Sequence, residues 1–382
     1  MKANLRIDEI EYERCAILRK KLKKAGGRLP VIAVLNKMPT SNNITLLRHI
    51  AAILVLINHS FDLMGRSESD PISLLTGGHT SSSRIGLIFF FFISGLLITQ
   101  SLFSSDNIKH FLWKRILRIY PALIVVVLMT VFVLGPLFTR LPVGAYFSHG
   151  MTWEYLSGGI SLIRLRFFLP DTFNENGVNG SLWSLPIEFR FYILLAIFFV
   201  AGILKNGARR TAIILFILVV YLFYGYLPQS ALSAYFGPYV RWSAFFFLGS
   251  YVYFFREKIK MSLWILLALL ILWYLMRNIE MAGRFTELIC FSYMVLFLSY
   301  HTPVIGKNFF SKNDFSYSIY IYAFPIQQMI LHCLADKIMP WGLAGLTAIA
   351  LVPFCYFSWR YIEKPASRLK HVFSPKGLAD DN

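Results

Sequence analysis

The chain has 382 residues, 56% of them hydrophobic and 15% charged, and a mean hydropathy of +0.56. Soluble domains hold about 45–50% apolar and about 25% charged residues, so this composition excludes an ordinary soluble domain and indicates an all-α, polytopic membrane helix bundle. The net charge of +18 would suggest nucleic acid in a soluble protein; here it reads as cytoplasmic loops rich in Lys and Arg, and no nucleic-acid partner is expected.

Residues 1–43 start mixed and become basic, as in RKKLKKAGGR from Arg19 to Arg28. They read as a basic cytoplasmic extension, a solvated or membrane-surface helix without a cleavable signal peptide. Met38 is an alternative start, because MPTSNNIT leads straight into the first apolar run. Segments near the roughly 20 residues a bilayer demands fall at 44–64, 85–103, 119–139, 182–204, 211–227, 237–255, 261–277, 284–300, 314–335 and 341–361. Alternate connections carry the Lys and Arg, which predicts ten spans with both termini cytoplasmic. The long external loop 140–181 is a candidate cover for an acceptor site. A short cytoplasmic tail, 367–382, closes the chain. Cys15, Cys290, Cys333 and Cys355 show neither metal-ligand spacing nor a disulfide framework, so no metal site is expected.

Charged groups inside spans are costly and mark functional paths. The first span holds RHIAAILVLINH, Arg48 to His59. Eleven residues turn through about 1,100°, which leaves the two side chains about 20° apart in azimuth and about 16.5 Å apart along the axis. Between them on that face stand Ala52 and Val55, with room for something narrow. His49 is rotated by about 100° and reads as interfacial. In the second span, Ser94–Gly95 is a polar notch in a wall of Phe, of the kind that lets helices approach closely. Arg115 and Arg118 of KRILRIYP are neighbours on one helix face and suit phosphate groups, or simple positive-inside charge. In SLWSLPIEFRFY, Glu188 enters the membrane and needs a partner. Arg190, two residues on, points elsewhere. His59 is the expected neighbour, oriented by the carboxylate and made more basic by it.

In order, these stretches resemble the acyltransferase family 3 membrane proteins, which include bacterial O-antigen and exopolysaccharide O-acetyltransferases. The resemblance runs over residues 44–366. It is carried by Arg48 and His59; by Gly86, Phe90, Phe91, Ser94 and Gly95; by Arg115, Arg118 and Pro121; by Trp183, Ser184, Leu185, Glu188, Phe191 and Tyr192; and by FSYSIYIYAFP and YIEKP. It implies a multi-pass protein of a bacterial inner membrane and transfer of an acyl group, usually acetyl, from cytoplasmic acyl-CoA to a hydroxyl of a cell-surface carbohydrate or its lipid-linked precursor. Arg48, His59 and Glu188 would then be catalytic, and Arg48, Arg115 and Arg118 would hold the donor. Ser94, Trp183, Ser184 and Tyr192 would contact substrate. His59 would act either as general base or as a transient acyl carrier. Two departures stand out: Ala323 and Ile88 occupy positions where many relatives carry His and Asp. No soluble esterase-like domain is expected beyond the bundle. The competing reading is a transporter or flippase of a lipid-linked saccharide, with Arg48, His59 and Glu188 as a proton relay.

Overall fold

The computed structural model divides the chain into two units, Met1–Thr40 and Ser41–Asn382. It describes residues 42–173, 177–228, 230–310, 313–334 and 337–373. The basic extension with its alternative start at Met38, and the end of the tail, lie outside the described residues.

A helix forms at each of the ten apolar segments. These are α1 (Ile44–Asp62), α2 (Ser82–Phe103), α3 (Ile108–Met129), α4 (Ser184–Val200), α5 (Gly207–Phe223), α6 (Ala231–Val252), α7 (Leu263–Met276), α8 (Glu280–Tyr300), α9 (Ser316–Leu334) and α10 (Pro340–Phe357). Polar side chains fix several starts by accepting from orphan backbone N–H groups. Ser81 receives Arg84 N at 3.3 Å, Asn107 receives His110 N at 2.8 Å, and Ser230 and Ser233 cap α6 reciprocally. Asp70 caps the short helix Pro71–Thr76 and accepts from Ser82 N at 2.9 Å, so one carboxylate ties the α1–α2 connection to α2.

Seven helical stretches among the described residues are long and apolar enough to cross a membrane: those containing α1 to α5, α8 and α10. The other three segments fall short for identifiable reasons. Helix α7 is apolar but has 14 residues, about 21 Å of helix against about 30 Å of hydrocarbon. Helices α6 and α9 are long enough but diluted by polar residues. In α9 the polarity is explained by burial, since nearly every residue from Ser316 to Gln328 faces protein.

Close packing turns on glycine. A Cβ on Gly95 would lie 1.8 Å from the Phe246 carbonyl oxygen, and one on Gly249 would lie 2.2 Å from that of Phe92. Helices α2 and α6 therefore meet backbone to backbone, as small residues permit in membranes. Gly86 likewise sets α2 close to α1, where a Cβ would lie 2.6 Å from the Ala51 carbonyl oxygen.

The long connection between α3 and α4 is more ordered than a plain loop. Helix α3 continues through a π turn, Thr130–Leu134, and the connection adds the helices Val143–Ser148 and Gly150–Ser161. Tyr146 donates to the Val131 carbonyl at 2.9 Å; burial pushes its phenol up to about 12, so it stays a donor. The segment from Gly177 to Trp183 then runs into the bundle before α4 begins. Gln328 donates to the Gly177 carbonyl at 2.5 Å and Asn179 to the Ile321 carbonyl at 3.0 Å. Irregular backbone at such a place is tolerated only when protein satisfies it.

Candidate active site

Helices α1, α2, α3, α4 and α9 and the chain after α10 enclose a cavity of about 320 Å³. Its cations come from α1 (Arg48), α3 (Lys114, Arg115, Arg118) and the tail (Lys370). Asp314, just ahead of α9, organises two of them. Its Oδ2 accepts from Arg48 Nη1 at 2.5 Å and from Arg118 Nη2 at 2.9 Å, while Oδ1 accepts from Ser316 Oγ at 2.6 Å. Arg118 also reaches Glu363 at 3.3 Å and covers the Tyr317 ring at 5.6 Å. Glu363 is brought inward by a π turn over Ser358–Glu363, where Ser318 and Ser358 donate to its Oε1. Such turns widen a helix and often occur at functional positions.

Arg115 is less committed. It donates to Ser101 Oγ at 3.2 Å, and its buried Nε has no protein partner among the described residues. The buried Trp359 indole N–H is equally unpartnered, and both residues line the cavity. Buried donors of this kind ordinarily find acceptors, so the wall suits a ligand rich in phosphate oxygens.

Glu188 stands deeper, on the first turns of α4. Ser94 Oγ donates to its Oε1 at 2.7 Å and Tyr192 OH donates to the same oxygen. Among the described residues both bonds fall on Oε1, which leaves Oε2 for the cavity. Ser184 and Tyr320 close this end, their hydroxyls 2.6 Å apart. The Ser94–Gly95 dipeptide thus divides its work: Gly95 seats α6, and Ser94 faces Glu188.

The family model for the acyltransferase domain matches residues 41–360. The chain belongs to this acyltransferase family. It is 30% identical over 336 residues to the O-acetyl transferase of Shigella phage Sf6, covering 86% of this chain and 96% of that protein. It is 25% identical over 358 residues to nodulation protein 10 of Rhizobium leguminosarum bv. viciae, covering 86% and 94% respectively. No solved structure matches it. The protein is therefore a membrane O-acyltransferase, a multi-pass protein of the bacterial inner membrane.

The acyltransferase gathers Arg48, Ser94, Arg115, Arg118, Ser184, Glu188 and Tyr192 around one cavity. It does not bring His59 to Glu188. Because Gly177–Trp183 occupies the bundle ahead of α4, Glu188 lies level with Ser94 and Tyr192. His59 instead packs its ring on Phe324 at 5.1 Å and places Nδ1 3.9 Å from Asp62. The passage expected along α1 is also filled. Ala52 and Val55 are 1% and 4% exposed, and a Val55 methyl packs where Gly86 leaves space. Trp183 lines a different cavity, beside Arg84, Arg241 and Trp242. His49 is buried rather than interfacial: its Nδ1 donates to the Thr45 carbonyl at 2.7 Å and its Nε2 accepts from Phe315 N at 3.0 Å. Arg190 stays clear of Glu188 as its spacing requires, donating to the Ile163 carbonyl at 3.4 Å.

Sequence reasoning missed Asp314, Glu363 and Trp359. A signal existed for two of them. Two in-membrane arginines demand an anion, and Glu363 stands inside the quoted YIEKP. Nothing local distinguishes Trp359 from other interfacial Trp residues.

Proposed function

We propose that the acyltransferase moves an acyl group, acetyl in the first instance, from acyl-CoA to a hydroxyl of a carbohydrate or its lipid-linked precursor. In this reading ten helices span the membrane, both termini are cytoplasmic, and the Arg48 cavity opens to the cytoplasm. The observation that carries it is the cavity itself, lined by three guanidiniums, two lysines and the carboxylates of Glu188, Asp314 and Glu363, with donors on Arg115 and Trp359 that are unpartnered among the described residues. The residues fit the donor. Arg115 and Lys370, with Arg48 and Arg118 held by Asp314, would take the phosphates, and the thioester would reach toward Glu188. The relative from phage Sf6, named an O-acetyl transferase, supports acetyl as the group moved.

At the reacting centre Glu188 Oε2 accepts the proton of the acceptor hydroxyl while Ser94 and Tyr192 steady Oε1. The hydroxyl oxygen attacks the thioester carbonyl carbon and the C–S bond breaks. The ester forms, and the departing thiolate takes up the proton. A second reading gives this role to His59. Its support is Asp62, whose Oδ2 lies 3.9 Å from His59 Nδ1, outside hydrogen-bond distance, and which would orient the imidazole if drawn closer. His59 would then act as base or hold the acyl group transiently.

Reconstituted protein supplied with radiolabelled acetyl-CoA and glycan from the source strain separates these readings. Glu188→Gln should lower turnover by at least about a hundredfold with donor affinity kept, within the range of about 10²–10⁴ for acid–base catalysis. His59→Ala at near wild-type turnover would remove the second reading. Full turnover in Glu188→Gln with none in His59→Ala would reverse the assignment. Arg115→Gln should weaken acetyl-CoA binding about tenfold or more.

A further inference from the structure

A second cavity opens between α2, the lead-in to α4, and α6, lined by Ser81, Ser83, Arg84, Trp183, Arg241 and Trp242. Its charges do not balance. Arg84 is held by Glu287 through two bonds of 2.6 Å, and Arg284 by Glu280 at 2.8 Å. Arg241, exposed on α6 beside these pairs, forms no ion pair among the described residues, and the one carboxylate charge it feels is that of Glu287, which Arg84 already holds. Two lining guanidiniums, Arg84 and Arg241, thus share one nearby carboxylate, which leaves a surplus positive charge at the opening. The hydroxyls of Ser81 and Ser83, 3.2 Å apart, stand on the opposite wall. One turn before Gly237 and Pro238, α6 presents Leu232, Tyr235 and Phe236 as exposed apolar side chains. A surplus cation and hydroxyls beside an exposed apolar surface and two indoles suit an amphipathic ligand with a phosphate head.

We propose that this cavity binds the phosphate of a lipid-carried saccharide acceptor, with Arg241 as the principal cation. A phospholipid headgroup shares that chemistry. Position favours the acceptor. Leu87 lines both this cavity and the Arg48 cavity, and Trp183 here is followed directly by Ser184 there. A ligand held at Arg241 thus lies one side chain from the donor cavity. The inference rests on the acyl-transfer reading only for the identity of its ligand as the acceptor.

The test uses full-length protein in phosphatidylcholine nanodiscs and tritiated farnesyl diphosphate as probe, read by scintillation proximity. Saturable binding is expected, with the dissociation constant raised about tenfold in Arg241→Gln and largely restored in Arg241→Lys. Arg66→Gln, which alters an exposed arginine elsewhere, should bind as wild type. Equal affinity in Arg241→Gln, or full competition by farnesol, overturns the phosphate site. Loss of binding when half the lipid is phosphatidylglycerol overturns the acceptor in favour of a phospholipid occupant. Acetyl-CoA binding on the same discs separates the two readings. If it is present while diphosphate binding ignores Arg241, only this site fails. If it is absent while diphosphate binding depends on Arg241, the phosphate site stands and the donor reading fails.

Discussion

Replacing Asp314 by Asn keeps its size and the bond from Ser316 but removes the charge that holds Arg48 and Arg118 together. Breaking a buried ion pair costs about 3–5 kcal/mol. The three side chains here are 19%, 22% and 26% exposed, and Arg118 keeps Glu363. Solvent and the second carboxylate reduce the loss to about 2 kcal/mol, on a scale where bonds to charged groups are worth about 1.5–3 kcal/mol each. For a chain of this size that corresponds to a fall of about 2.5 °C in Tm, measurable by thermal unfolding in detergent. Acetyl-CoA affinity should fall about tenfold in parallel, since Arg48 and Arg118 lose their fixed positions. The double variant Arg48→Gln with Asp314→Asn should lose less than the two single losses added, because residues sharing a bond couple. A Tm change below about 1 °C together with strict additivity would refute the claim that Asp314 positions these arginines.

Gly95→Ala should collapse the yield of monodisperse protein on size exclusion, because its methyl would lie 1.8 Å from a backbone oxygen that cannot move aside. Gly144→Ala, with nothing within 4 Å, is the matched control and should behave as wild type. Tyr192→Phe removes one of two donors to Glu188, and kcat should fall about tenfold at unchanged KM for acetyl-CoA; an unchanged kcat would detach Tyr192 from the reacting centre. Glu287→Gln breaks the paired bonds to Arg84 and should lower Tm by several degrees while acetyl-CoA affinity holds.

The ten helices were legible because apolar length is written locally, and so were the groups that a bilayer makes expensive. Arg48 and Glu188 could be named from that cost, while Arg115 and Arg118 came from their spacing on one helix face and from the resemblance. Their partners could not be named. Asp314 lies 266 residues from Arg48, and Glu363 245 from Arg118, so neither pairing leaves any trace in spacing. The misplacement of His59 against Glu188 has a specific origin. The apolar run starts at 182, yet the backbone at Gly177 and Asn179 is already bonded to α9 inside the bundle, before the first turn of α4. Helical azimuth correctly put Arg48 and His59 on one face, but azimuth says nothing of what fills that face, and Val55 fills it against Gly86.

Pro325 in α9 has a consequence for how the protein is made. A proline within a helix leaves the carbonyl four residues earlier without its donor; here that is Ile321, and Asn179 supplies the missing hydrogen bond. Partner and vacancy are 142 residues apart. During synthesis the Asn179 amide therefore emerges long before the carbonyl it serves, and until the two meet α9 keeps a gap in its ladder that an apolar surrounding cannot fill. The membrane can accept each helix as it arrives, but closure of the bundle has to wait for one of its last pieces.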